Sequence, residues 1–364
     1  MIPDLAGGGA EKVLVNLVNN MDRSKFDITV KTIFDVGVNR ENLLPHIKRE
    51  YCLKRQFRGN SKLFTLFTPE MLFKRFIKGQ YDIIVSYLEG PTARIVSGCK
   101  DSNTKLVSWI HVEQHNKNVF SASFRSYEEA KRCYNKFNRI ICVSEFVKSD
   151  FSTLLRDNTP IYVLHNTIET EKIHGRAIES IDDYVLDKNI KTMIGIGTLK
   201  QSKCFDRLIR IHARLRDSGL FTRLLILGTG CEHTHLLNLI TELGVNDSCC
   251  LLGYKQNPYK YIKACDLFVC SSISEGFSTA ATEALIVGTP VVTVEVSGMK
   301  EILGEHNEYG IVTENSEEAL YEGIRTMLTT PGMLEDYAQR AKQRGKEFST
   351  EKTVRAVEDM LLNL

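Results

Sequence analysis

The 364 residues are 43% hydrophobic and 25% charged, with 24 Gly, 8 Pro and 10 Cys, a globular composition that excludes a disordered, collagen-like or disulfide-stapled chain. The 47 Lys and Arg nearly balance the 45 Asp and Glu, so no overall charge points to nucleic acid. Residues 1–180 nonetheless carry 27 basic against 20 acidic groups, and the remainder 20 against 25, which predicts two domains with different partners.

The chain opens on six residues and the run Gly7-Gly8-Gly9. Such a run should follow a strand, so either that strand is very short or the given start omits residues. Val13, Leu14, Leu17 and Val18 then make one helical stripe. Runs rich in Val, Ile and Leu follow at 26–34, 81–88, 105–111, 139–144 and 161–165. A polar stretch, 167–189, holds Glu169, Glu171, Glu179, Asp182, Asp183 and Asp187 and reads as the junction. Beyond it, similar runs recur at 192–199, 223–228, 250–253, 266–271, 290–294 and 310–313, with a second stripe at Leu208, Ile209, Ile211 and Leu215. Val354, Val357, Met360, Leu361 and Leu364 space a closing helix. Most of the runs are continuously apolar, as parallel strands covered on both faces require. Strand and helix alternate throughout, and more than ten strands exceed one ordinary open sheet. The expectation is α/β architecture with two doubly wound parallel-sheet domains, 1–168 and 169–348, and residues 349–364 docking back toward the first.

The ten Cys show no C-x-x-C spacing, and several sit in apolar runs such as Ile140-Ile141-Cys142-Val143, where Cys acts as a small hydrophobe. No secretory leader opens this sequence, and a reducing cytoplasm is the expected compartment. No apolar run approaches the roughly 18–20 residues that span a bilayer. One stretch of the first half, 48–78, combines Lys48, Arg49, Lys54, Arg55, Arg58 and Lys62 with Leu63, Phe64, Leu66, Phe67, Met71, Leu72, Phe73, Phe76 and Ile77, then Lys74, Arg75 and Lys78. It suits peripheral contact with the inner face of an anionic membrane; a helix packed on the sheet with solvated basic groups fits it equally.

Open α/β sheets bind ligands beyond the carboxyl ends of their strands. Three segments there carry unusual chemistry. Gly7-Gly8-Gly9-Ala10-Glu11-Lys12 precedes a helix and could present amides to an oxyanion; a plain flexible turn is as good a reading. Ser274-Glu275-Gly276-Phe277-Ser278-Thr279-Ala280-Ala281-Thr282-Glu283 leaves the run 266–271 and opens a helix near Ser278. Eight helical steps of ~1.5 Å put the two carboxylates roughly 12 Å apart, beyond the roughly 5–9.5 Å of paired glycosidase carboxylates. That separation suits two carboxylates gripping hydroxyls at opposite ends of a ligand, with the free amides of Gly276 to Thr279 facing an anion between them. A sugar nucleotide has that layout; a solvated Glu283 and a helix-capping Glu275 are the plainer alternative. Gly197-Thr198-Leu199-Lys200-Gln201-Ser202-Lys203 is the third, with Lys203 a candidate counter-charge for a diphosphate or an exposed loop lysine. No D-x-D pair occurs, and Cys231, His233 and His235 read as local surface rather than a zinc site.

The ordered set Gly8-Gly9-Ala10-Glu11, Trp109-Ile110-His111, Cys142-Val143-Ser144-Glu145, Leu164-His165-Asn166, Gly197-x-Leu199-x-x-x-Lys203, Gly228-x-Gly230 and Glu275-Gly276-Phe277-Ser278-Thr279-x-x-x-Glu283 resembles the retaining glycosyltransferases of family 4, from about residue 5 to residue 350. The resemblance implies the GT-B architecture: two Rossmann-like domains facing a central cleft, the first binding the acceptor and the second the nucleotide sugar. It implies that Glu275 contacts sugar hydroxyls, that the amides of Gly276 and Phe277, with Ser278 and Thr279, lie near sugar and phosphates, and that Glu283 holds the ribose. Lys203 and the Gly8-Gly9 turn would neutralise the diphosphate. His111 would touch the transferred sugar and help place the acceptor, and Tyr254 and Lys255 would neighbour the base. Apart from the resemblance, Glu89 and Arg94 follow a strand end in the first half and could line the acceptor pocket. Thr198 stands where the family commonly has Arg, a lost phosphate contact of ~1.5–3 kcal/mol; either Lys200 replaces it or the donor is held less tightly.

The implied reaction moves a hexose or N-acetylhexosamine from a nucleotide-diphosphate sugar, by family frequency a UDP-sugar, to a hydroxyl of a lipid-linked or growing glycan in surface polysaccharide (capsule or lipopolysaccharide) synthesis. It needs no cofactor and no metal. A nicotinamide-dependent oxidoreductase, which would want G-x-G-x-x-G and a later acidic residue, and a catalytically weak sugar-nucleotide-binding homologue are the alternatives.

Overall fold

The computed structural model describes residues 1–56, 60–155 and 159–364, and at 60–62 the backbone only. Arg58 and the Lys62 side chain, named above, lie outside what is described. Two compact units emerge: Met1–Thr167 with Thr350–Leu364, and Ile168–Ser349.

Among its described residues the first unit carries six strands: β1 (Thr29–Phe34), β2 (Lys48–Leu53), β3 (Ile83–Ser86), β4 (Lys105–Ile110), β5 (Arg139–Cys142) and β6 (Ile161–Val163). β1 pairs with β2, and β3 to β6 lie side by side in order, all parallel. The first residues join the two pieces. The Ile2 amide donates to the Lys31 carbonyl, the Ile33 amide to Ile2 and the Tyr87 amide to Met1, so residues 1–3 do the work of a very short strand between β1 and β3. The strand order therefore reverses there, and Gly7–Gly9 and Glu89 leave the two sides of that reversal. β4 and β5 are buried along nearly their whole length, and Phe120, Tyr134 and Phe151 pack ring to ring at 5.0–5.3 Å beside them. The helix Thr350–Leu362 buries Val354, Val357, Met360 and Leu361 in this unit; Glu358 Oε1 accepts the Asp22 amide at 2.6 Å.

β2 was not foreseen. Its residues read Lys-Arg-Glu-Tyr-Cys-Leu, and the charges reserved above for a membrane are partly engaged: Lys48 pairs with Glu50 at 2.9 Å and Arg49 with Asp35 at 2.7 Å. An edge strand keeps solvated faces, so it lacks the continuous apolar run by which the doubly covered strands are recognised.

The second unit has β7 (Lys191–Ile196), β8 (Thr222–Leu227), β9 (Cys249–Gly253), β10 (Leu267–Cys270), β11 (Val291–Val294) and β12 (Ile311–Thr313). Its parallel sheet runs in the order β12-β11-β10-β7-β8-β9. One face is covered by a core that includes Leu208, Ile211, Leu215, Ile240, Leu320 and Ile324; the other face carries Ile168, Ile173, Tyr259 and Ile286. Each fully buried aliphatic side chain contributes ~1.5–3 kcal/mol, which is what drives the sheet between its helix layers. The polar stretch at 167–189 is not unstructured throughout, since Thr170–Ala177 is helical and buries Ile173 and Ala177. All ten cysteines are free thiols. No helix among the described residues is long and apolar enough to cross a membrane.

Candidate active site

The order of the second sheet reverses between β7 and β10, whose backbones pair at Leu267–Met193 and Phe268–Ile194. This is the switch point at which open α/β sheets offer a crevice. The loops leaving the two strands are tied into one piece. Ser271 Oγ lies 2.9 Å from the carbonyl oxygens of both Lys203 and Cys204. The Ile273 amide donates to the Ser202 carbonyl at 2.9 Å, and buried Arg207 donates to the Ser271 carbonyl and to Asn315 Oδ1.

On this platform Lys203 Nζ and Glu275 Oε1 stand 2.6 Å apart, with side chains 20% and 12% exposed. Burial alone would push the Lys203 ammonium down, yet the facing Glu275 carboxylate outweighs it and holds the group above its ordinary value. Ser272, buried, donates its hydroxyl to the same carboxylate oxygen at 2.6 Å. The stem of Lys203 lies on Gly197, where a Cβ would come within 3.3 Å of Lys203 Cε. Gly228 (φ +144°) approaches closer still: a Cβ there would meet the Gly197 carbonyl oxygen at 1.8 Å, so only glycine lets these loops nest. Thr198 and Lys200 are exposed on the same rim.

The helix Thr279–Val287 starts from Ser278, whose hydroxyl accepts the Ala281 amide. By construction the amides of Thr279 and Ala280 have no partner inside the helix and carry its positive end. Gly276, Phe277 and Ser278 are buried, Thr279 half-buried. Glu283 is 3% exposed, which removes the reading of a solvated helix residue.

In the first unit, Glu89 Oε2 accepts the His111 amide at 2.9 Å, and the His111 ring stacks 4.9 Å from Tyr87. Burial lowers the His111 pKa to about 3, so its imidazole is neutral, and its Nε2 is buried without a hydrogen-bond partner among the described residues. Burial raises the Glu89 carboxyl to about 7, with Glu11 adding to the shift and the His111 amide opposing it. Gly8 caps the helix Gly9–Asn20, and a Cβ on it would meet Glu11 Oε2 at 2.2 Å. The anion at this helix start is the chain's own Glu11.

Two expectations give way. Arg94 is 1% exposed and does not line an acceptor pocket. Its guanidinium takes Glu129 at 3.0 and 3.2 Å and the carbonyls of Phe64 and Phe67 at 2.8 and 2.7 Å. Desolvation is offset by these four hydrogen bonds, two of them to a carboxylate, so the residue is structural. Lys255 pairs with Asp183 at 2.5 Å, and Tyr261 also donates to that carboxylate, which places Lys255 against the polar stretch rather than free for a base. Tyr254 is exposed at the end of β9. Ser271 and Ser272 went unnoticed; two consecutive hydroxyls ending a buried strand, just ahead of Glu275, were the available signal. Among the described residues no three His, Cys, Asp or Glu side chains gather as metal ligands.

The Anabaena protein HepE, crystallised with UDP, superposes over 100% of this chain and 99% of its own with a TM-score of 0.76 at 20% identity, which establishes the fold as GT-B. Residues 7–172 match the model for Glycosyltransferase Family 4 and residues 176–344 that for Glycosyl transferases group 1. Two Rossmann-like units so matched make this protein a GT-B glycosyltransferase, and the oxidoreductase alternative falls. Within that class the chain belongs to glycosyltransferase family 4. It is 36% identical over 195 residues to the Campylobacter jejuni N-acetylgalactosamine-N,N'-diacetylbacillosaminyl-diphospho-undecaprenol 4-alpha-N-acetylgalactosaminyltransferase, 53% of this chain and 51% of that one. It is 26% identical to the Mycobacterium tuberculosis GDP-mannose-dependent alpha-(1-6)-phosphatidylinositol dimannoside mannosyltransferase over 66% of this chain and 61% of that one. These matches span half to three-fifths of the relatives' own lengths.

Proposed function

We propose that the protein transfers a hexose or N-acetylhexosamine from a UDP-sugar to a hydroxyl of a lipid-linked or growing glycan, with anomeric configuration retained and without a metal, in surface polysaccharide synthesis on the cytoplasmic side of a membrane. The observation that carries this is the Lys203–Glu275 pair at the switch point of the second sheet. Lys203 has two further N–H groups for diphosphate oxygens, the start of helix Thr279–Val287 adds amide donors, and Glu275 and Glu283 take hydroxyls of the sugar and the ribose. The anomeric carbon–oxygen bond to the diphosphate breaks, the acceptor oxygen bonds to that carbon on the same face, and its proton passes to the departing phosphate. Neutralisation of that phosphate by Lys203 and the amides lowers the barrier. His111 and Glu89 serve the sugar and acceptor.

The C. jejuni relative, whose name gives a polyprenyl-diphosphate glycan as acceptor and an alpha-N-acetylgalactosaminyl transfer, supports the acceptor class and the sugar type. The test is transfer from UDP-glucose, UDP-N-acetylglucosamine and UDP-N-acetylgalactosamine to undecaprenyl-diphosphate glycans, with EDTA present and the product's anomeric coupling read by NMR. An α-linked product is expected, and Glu275→Ala should lower its rate by roughly 10²–10³-fold with the circular dichroism spectrum unchanged. A β-linked product, loss of transfer in EDTA, or full activity in the variant would each contradict the proposal.

A further inference from the structure

Glu275 Oε1 is crowded and Oε2 is not. Oε1 receives Ser272 Oγ and Lys203 Nζ, each at 2.6 Å, and has the Cys270 thiol at 3.8 Å. Oε2 has no partner among the described residues. Ser272 is 2% exposed, and its own backbone is fixed, since its carbonyl accepts Asn315 Nδ2 at 3.5 Å while its neighbours are bound to the 202–204 turn. Its hydroxyl therefore starts from a rigid base, whereas Lys203 reaches the same oxygen on a rotatable stem.

The two donors differ in what a ligand does to them. A diphosphate arriving beside Lys203 competes for the ammonium's N–H groups, so that Lys203 is shared between Glu275 and the phosphate oxygens. Ser272 is not drawn away. We infer that Ser272 is a positioning residue that keeps the Glu275 carboxylate oriented, Oε2 outward, once Lys203 is shared with the donor's phosphates. This rests on the donor-site reading above. It assigns Ser272 to recognition of the sugar and not of the nucleotide, because Glu275 is the group it steadies.

The test is equilibrium titration of the full chain with UDP and with UDP-glucose, UDP-N-acetylglucosamine, UDP-N-acetylgalactosamine and GDP-mannose. For whichever nucleotide sugar the wild type binds, Ser272→Ala should raise the dissociation constant roughly tenfold while the affinity for UDP alone is unchanged. Ser272→Thr, which keeps the hydroxyl, should restore the wild-type ratio of the two. A general disturbance of the loop would weaken both ligands together, and a hydroxyl without this role would weaken neither; either result overturns the inference while leaving the donor site intact. A wild type that binds none of the five overturns the donor site and this inference with it.

Discussion

Glu89 and His111 share one hydrogen bond, and burial moves them in opposite directions. A carboxyl held near 7 keeps a proton in the fold that the unfolded chain, at its ordinary 4.5, has released. Its contribution to stability is full below about pH 4.5 and is lost as pH rises toward 7. His111, at about 3 against an ordinary 6.5, works the other way: the unfolded chain takes up a proton that the fold refuses, so stability falls as pH drops through that window. Glu89→Gln removes the first dependence alone. The melting temperature of the variant should gain on the wild type between about pH 5 and pH 7 and hold level above that, followed by the fluorescence of Trp109, the chain's single tryptophan, which is buried in the same unit. Parallel curves would show that Glu89 ionises normally. At this scale Lys203, Glu275 and Glu283 were legible because their chemistry is set by position after a strand. Arg94 was not: it also follows a strand, and what claims it is Glu129, 35 residues on, together with the carbonyls of Phe64 and Phe67.

Those carbonyls belong to an element with consequences of its own. Arg94 and Arg125 between them take the carbonyls of Phe64, Thr65, Leu66 and Phe67, adding to the Leu66 and Phe67 amides that turn back to the Leu63 and Phe64 carbonyls at the end of the helix Asn60–Thr65. The turn is thereby fixed with Leu63, Leu66 and Phe67 outward, at 43%, 70% and 41% exposure, and the next helix, Pro69–Phe76, shows Met71 at 55% beside Lys74 and Arg75. This apolar turn, beside Lys74 and Arg75 that form no ion pair among the described residues, is the part of the stretch that a contact with an anionic bilayer would use. The proposed membrane contact thus narrows from 48–78 to this turn and its neighbouring helix, with exposed Lys54 and Arg55 adding charge. Wild-type protein should sediment with phosphatidylglycerol vesicles, and Leu66→Asp with Phe67→Asp should abolish most of that; equal sedimentation of the two would remove the membrane contact. Pattern alone could not divide this stretch, because an edge strand and an amphipathic helix both alternate charge with apolar residues.

For the whole molecule, the alternation of apolar runs with amphipathic stripes was enough to give a doubly wound α/β fold, since parallel strands buried on both faces leave a signal in every run. Strand order left none. It arises from which crossovers turn back, and it alone puts the loop after β7 beside the loop after β10, so the meeting of Lys203 with Glu275, 72 residues apart in sequence, is a product of topology. That meeting is the centre of the functional account. Calorimetric titration of UDP into wild type and Lys203→Ala tests it most directly. The wild type should bind UDP, and the variant, having lost a charge-assisted hydrogen bond, should bind it more weakly by roughly 10–100-fold. Absence of binding in the wild type, or equal binding in the two, would contradict the account.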